Sequence, residues 1–203
     1  MELDPCRTAV IAVHCQGDII GEQGAFSGFF HSQVVARNVV AKVHDLLSDA
    51  REKGATVVYT RVAWRPDYSD LNANSPLLQI VKQAGCLKDG GELAEIVDEL
   101  KPSGEDIVIT HQRIGGMTAE LDALLKTRGI DTLLFSGVAT NASVESSARQ
   151  ASDLGYRVGI VQDACSAATP EAHQASIESL GLFGEITTLG ELAWDESSAP
   201  STA

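Results

Sequence analysis

Basic residues are scarce in this 203-residue chain. Fifteen Lys and Arg stand against 28 Asp and Glu, giving a formal net charge of −13, and no run of cations occurs. A polyanion-binding surface needs a cationic footprint, so nucleic acid and anionic membranes are excluded as partners. Long apolar stretches are also missing: none approaches the roughly 20 residues that span a bilayer. The first residues lack the basic-then-apolar pattern of a secretory leader. Cys6, Cys15, Cys86 and Cys165 show neither CxxC pairing nor zinc-knuckle spacing. No disulfide framework is therefore expected, and scattered thiols of this kind suit a cytoplasmic protein. The partners left are a small molecule or another copy of the chain.

What is present is a repeated α/β pattern. Short runs rich in Val, Ile and Leu occur at Thr8 to Val13, Ala55 to Val62, Asp106 to Thr110, Thr132 to Ser136 and Arg157 to Gln162, with a last short strand at Glu185 to Thr188. Helical spacing lies between them: Val34, Val35, Val39, Val43, Leu46 and Leu47 form one stripe, Leu121, Leu124 and Leu125 another, Ile177 and Leu180 a third. Strands apolar on both faces, alternating with helices, predict a three-layer αβα sandwich around a mostly parallel, Rossmann-like sheet of about six strands. Gly54, Gly129 and Gly155 precede strands, where a left-handed helix C-cap belongs. Residues Arg65 to Leu100 read as loops with one short helix. The whole of 1–203 reads as one domain, ordered from about 8 to 192, with a frayed Ser/Ala/Pro tail from Glu196 to Ala203.

Ligands of open parallel sheets gather at the carboxyl ends of the strands. His14 ends the first strand, His111 follows the third, and Ser143 follows the fourth at the start of a helical pattern. A first-turn hydroxyl faces unpaired N–H donors that could hold a developing oxyanion. Each residue alone also has a structural reading, as a cap or a wall residue; their meeting at one edge favours a site. Trp64, Arg65 and Tyr68 follow the second strand as candidate substrate contacts, with Arg65 suited to a carboxylate. Phe26, Phe29 and Phe30 beside His31 are a lid, a subunit contact or plain helix packing. Arg113 is structural or substrate-binding. Cys15 points to the face opposite His14, so it is not expected to be the nucleophile.

The opening Ala9 to Ile19, with His14-Cys15-Gln16-Gly17-Asp18, resembles the strand and Asp-x-Gln-x-Asp motif of the isochorismatase-like hydrolases. Gly129 to Asn141 with Val144-Glu145-Ser146 resembles the segment around that family's nucleophile, and Asp163-Ala164-Cys165 with Glu171 and His173 extends the likeness to about Leu192. The resemblance places His14 at the family's Asp general base, His111 (or Thr110) at its Lys, and Ser143 at its Cys. It also implies a cis peptide between Val138 and Ala139, an oxyanion site from the N–H groups of Ala139 and Ser143, and a homo-oligomer. Ala63 to Asp67 lacks the ligands of the family's metal-binding members, so no metal or other cofactor is expected.

His, His and Ser can perform nucleophilic catalysis together. The leading expectation is hydrolysis of a small amide, ureide, ester or lactone by Ser143, with His14 or His111 as the base and Asp18 fixing a tautomer, touching substrate or bracing its loop. Two alternatives stand beside it: an inactive, ligand-binding paralogue, and a water-activating enzyme in which His14, Asp18 and His111 hold a metal.

Overall fold

A computed structural model describes residues 1–195 and Ser197; the rest of the expected tail lies outside the described residues. Strand β1 (Glu2–Leu3) pairs in parallel with β8 (Ala193–Trp194). Six further strands form the main sheet: β2 (Thr8–Val13), β3 (Thr56–Val62), β4 (Ile107–His111), β5 (Thr132–Val138), β6 (Arg157–Ser166) and β7 (Glu185–Thr187). All pairings are parallel, in the order β4-β3-β2-β5-β6-β7. The order reverses between β2 and β5, the switch point at which doubly wound sheets open a ligand crevice.

Apolar strand composition explains the layering. All six residues of β2 are buried; Ala9, Ile11 and Val13 pack on one face of the sheet, Val10 and Ala12 on the other. One face is covered by α1 (Gly17–Ile20), α2 (Ser27–Ala36) and α3 (Val39–Glu52), with α4 (Pro76–Ala84) beyond them. The other carries α5 (Ala119–Thr127), α6 (Glu145–Asp153) and α7 (Pro170–Leu180). Val39, Val43, Leu46 and Leu47 turn one stripe of α3 inward, each burial contributing about 1.5–3 kcal/mol.

The expected α/β sandwich is present, and Gly54, Gly129 and Gly155 follow α3, α5 and α6 with φ of 78°, 72° and 92°. Two details differ from the sequence reading. The stripe from Val34 to Leu47 is not one helix: Asn38 takes a left-handed conformation (φ 54°) between α2 and α3, which rotates the stripe and leaves Val35 62% exposed. Strand β6 runs on to Ser166, with a register shift opposite Phe135–Gly137, and so carries Cys165 and Ser166 alongside the end of β5. Among the described residues no helix is long and apolar enough to cross a membrane.

Candidate active site

Three strand ends build the site. After β2 the chain turns at His14, which adopts φ 51° while its N–H donates to the Thr60 carbonyl (3.0 Å). A left-handed backbone is uncommon for a residue with a side chain, but His accepts it better than most. His111, the last residue of β4, pairs with Val62 on β3, so one strand separates it from β2. The two imidazoles reach across that strand, their Nε2 atoms 3.1 Å apart.

Beyond β5 the peptide Val138–Ala139 is cis. Thr140–Val144 then form a π-helical turn that runs into α6. Ser143 therefore sits two residues before the α-helix, not in its first turn. π-turns often mark functional sites because the wide turn pushes a residue off the regular helical surface. The turn is braced from several sides. The Thr140 Oγ1 meets His173 Nδ1 at 2.8 Å, and Arg37 donates to His173 Nε2 (2.9 Å) and to the carbonyls of Cys165 and Gln162 (2.9 Å each). The Ser147 hydroxyl donates to the Ser143 carbonyl (2.7 Å) and accepts from the Gly116 N–H (2.8 Å). Burial and the neighbouring Arg37 charge push the His173 pKa down to about 4, so it braces as a neutral ring.

A cavity of about 60 Å³ opens between these elements, enough for a few heavy atoms. His14, Ser143 and Ala139 lie along it, with Trp64, Phe26 and Phe30 among its apolar walls. Ser143 is only 8% exposed. No hydrogen bond joins its hydroxyl to either imidazole among the described residues. His111 stands behind His14 and does not line the cavity. Burial, reinforced by the other imidazole, drives the His14 pKa well below 6.5; burial and then the Arg113 charge lower His111 to about 4. Both rings are neutral near pH 7.

Their neutrality makes the tautomers interdependent. His111 Nδ1 accepts from the Arg113 N–H at 3.3 Å, so its proton sits on Nε2 and is donated to His14 Nε2. The His14 proton then lies on Nδ1. The opposite pair of tautomers frees Nδ1 as a base and sacrifices only the long Arg113 contact.

Three expected substrate contacts lie outside the cavity. Asp18 Oδ2 accepts from the Leu87 N–H (2.7 Å) and Oδ1 from Ala25 (3.4 Å), so it braces its loop and orients neither histidine. Arg65 follows the end of β3 onto a surface turn, where its N–H donates to Asp70 Oδ1 (2.9 Å) and its side chain is exposed. Tyr68 takes φ 57° and donates its hydroxyl to the Cys86 carbonyl (2.6 Å). With Asp18 committed to backbone donors, the triad His14, Asp18 and His111 does not form, and among the described residues no cluster of three His, Cys, Asp or Glu has a metal-binding arrangement. Sequence reading missed the walls supplied by Ile19, Val62, Leu77, Leu78, Val81 and Leu87, because apolar residues in loops and short helices look like core. Phe26 and Phe30 are cavity walls; Phe29, on the same helix, is half exposed. Cys15 is buried among core residues, its thiol pushed up to about 12.

Fold and site together define a doubly wound α/β protein with a small-molecule cavity at its switch point. The chain belongs to the isochorismatase family: residues 8–191 match the isochorismatase domain. It is 34% identical over 199 residues to a ureidoacrylate amidohydrolase, RutB, of Acinetobacter baylyi, covering 90% of this chain and 80% of that protein. Among solved structures it resembles a cysteine hydrolase from Pseudomonas syringae pv. phaseolicola (TM-score 0.84, 27% identity, 93% of this chain and 92% of that one). An isochorismatase family protein from Desulfovibrio vulgaris is also similar (TM-score 0.80, 28% identity, 91% and 95%).

Proposed function

We propose that this isochorismatase-family hydrolase cleaves a small-molecule amide, with Ser143 as nucleophile and His14 as its base. The observation that carries the reading is that Ser143 and His14 line one apolar cavity, open at one side, where β2 and β5 end. Similarity to an amidohydrolase supports the C–N bond as the target.

A hydroxyl must lose its proton as it attacks, and a neutral imidazole accepts it near pH 7. In the competent tautomer His14 Nε2–H donates to His111 Nε2 and Nδ1 receives the Ser143 proton, then hands it to the leaving nitrogen. His111 is a positioning residue, since it reaches the chemistry only through His14. The oxyanion site would be the N–H groups of Ala139 and Ser143. In support, the Ala139 carbonyl accepts from both Ala142 and Val144 (3.1 Å each), which orients the peptide planes of this turn. Thiols scattered without CxxC or zinc-knuckle spacing support a cytoplasmic location, and the family resemblance a homo-oligomer and a single-domain chain.

The test is Ser143→Ala against a panel of small amides and ureides. Turnover lost at unchanged melting temperature supports covalent catalysis; full activity in that variant refutes it. The missing Ser143–imidazole hydrogen bond favours one second reading, a protein that binds a ligand in this cavity without turnover. Absence of hydrolysis across the panel, with ligand binding retained, would establish that instead.

A further inference from the structure

The charge around the cavity is one-sided. No Asp or Glu lines it, and Asp18, the nearest expected acid, is committed to backbone donors. His14 is neutral. Arg113 is the remaining ionisable lining residue, and its guanidinium has no hydrogen-bond or ion-pair partner among the described residues. Arg7, Arg51, Arg61, Arg149 and Arg157 pair with carboxylates, whereas Arg113 is, among the described residues, the one arginine that faces the cavity, and it does so without such a partner. Arg113 is also tied to the site by its backbone, whose N–H donates to His111. Its side chain is exposed, so it stands at the mouth, above walls made by Phe26, Phe30, Leu77, Leu78 and Val81.

We infer that Arg113 is the anchor for a carboxylate, and that the substrate is a short, apolar acid whose anionic end stays at the mouth while its body enters the cavity. A planar guanidinium with free N–H donors matches a carboxylate in two parallel hydrogen bonds. The apolar walls offer nothing polar to a second charged end, and the cavity volume limits the body to a few heavy atoms. Arg65, the cation whose sequence position first suggests this role, lies outside. The inference rests on the hydrolase reading for the place of the scissile carbonyl, next to Ser143, but the anion site can be measured without turnover.

Calorimetric titration with butyrate and crotonate, compared with the neutral 1-butanol and crotyl alcohol, uses probes that contain no hydrolysable bond. The acids should bind about tenfold or more tightly than the alcohols, the order expected for a charge-assisted contact. Arg113→Gln should remove the difference, Arg113→Lys should keep part of it, and alcohol binding should not change in either. Because the Arg113 side chain has no structural partner, both variants should melt with the wild type. Equal binding of acids and alcohols, no binding of either acid, or an acid preference that survives Arg113→Gln overturns the assignment. If the preference holds but no amide or ureide of the panel is hydrolysed, the hydrolase reading fails and the anion site stands.

Discussion

Lowering the pH from 8 to 4 probes the histidine pair directly, because burial has taken both imidazoles away from their ordinary titration range. An exposed imidazole with a pKa near 6.5 is about 90% protonated at pH 5.5, so an enzyme using it as a base has lost roughly tenfold in rate by then. Here His111 is held to about 4 and His14 also well below 6.5. The shift of His111 corresponds to about 3 kcal/mol favouring its neutral form. With His14 as the base, kcat/KM should therefore stay nearly flat through the range around 6.5 where an ordinary imidazole titrates, and fall only well below it. Stability follows the same groups. Unfolded histidines take up protons first, so the contribution of His111 and His173 is complete above about pH 6.5 and is lost as pH falls towards 4. Rates should be read as initial velocities within the pH range where chemical denaturation still gives the full folded baseline. His111→Gln removes one of the two causes that lower His14, so the acid limb should move up while kcat drops by about 10- to 100-fold through loss of positioning. Leaving His14 Nε2 without its buried partner should also cost about 1–3 kcal/mol of stability. A wild-type limb with a midpoint between 6 and 7, or a limb unmoved by His111→Gln, would refute the neutral-pair reasoning.

Two further outcomes separate the site's chemistry from its scaffold. Gly137→Ala should destabilise the protein by roughly 2–3 kcal/mol or more, since φ is 106° and an added Cβ would lie 2.2 Å from the Val13 carbonyl oxygen; a fall in melting temperature of less than a few degrees would contradict this. Alkylation with iodoacetamide at pH 8 should reach Cys6 first, because Cys15, Cys86 and Cys165 are buried with thiols pushed up to about 12, 11 and 12. Hydrolysis should survive the treatment, and its loss in step with modification of a buried thiol would point to a cysteine nucleophile.

Local composition determined the layers of this protein. Thr8 to Val13 is apolar on both faces, and such a run can be satisfied only inside a covered parallel sheet. The glycines before β3, β5 and β6 mark helix ends through their own backbone freedom, and a hydrophobic stripe identifies α3 without reference to any partner. These signals place His14, His111 and Ser143 at one sheet edge, since the end of a strand is a local property. Tertiary structure decided what those residues touch. His14 and His111 are 97 positions apart, and nothing in the sequence between them signals that their Nε2 atoms meet at 3.1 Å; that contact depends on β3 lying between β2 and β4. Whether Arg65 or Arg113 faces the cavity turned on a surface turn held by Asp70 and on where the chain goes after β4. Asp18 became a loop brace because the Leu87 N–H, 69 residues away, arrives 2.7 Å from its carboxylate. Strands β1 and β8, two residues each and joined across nearly the whole chain, are too short to carry a periodic signal. Periodicity reports the face a residue turns inward, whereas the neighbour waiting on that face is set by strand order and chain closure, which act over distances no local pattern encodes.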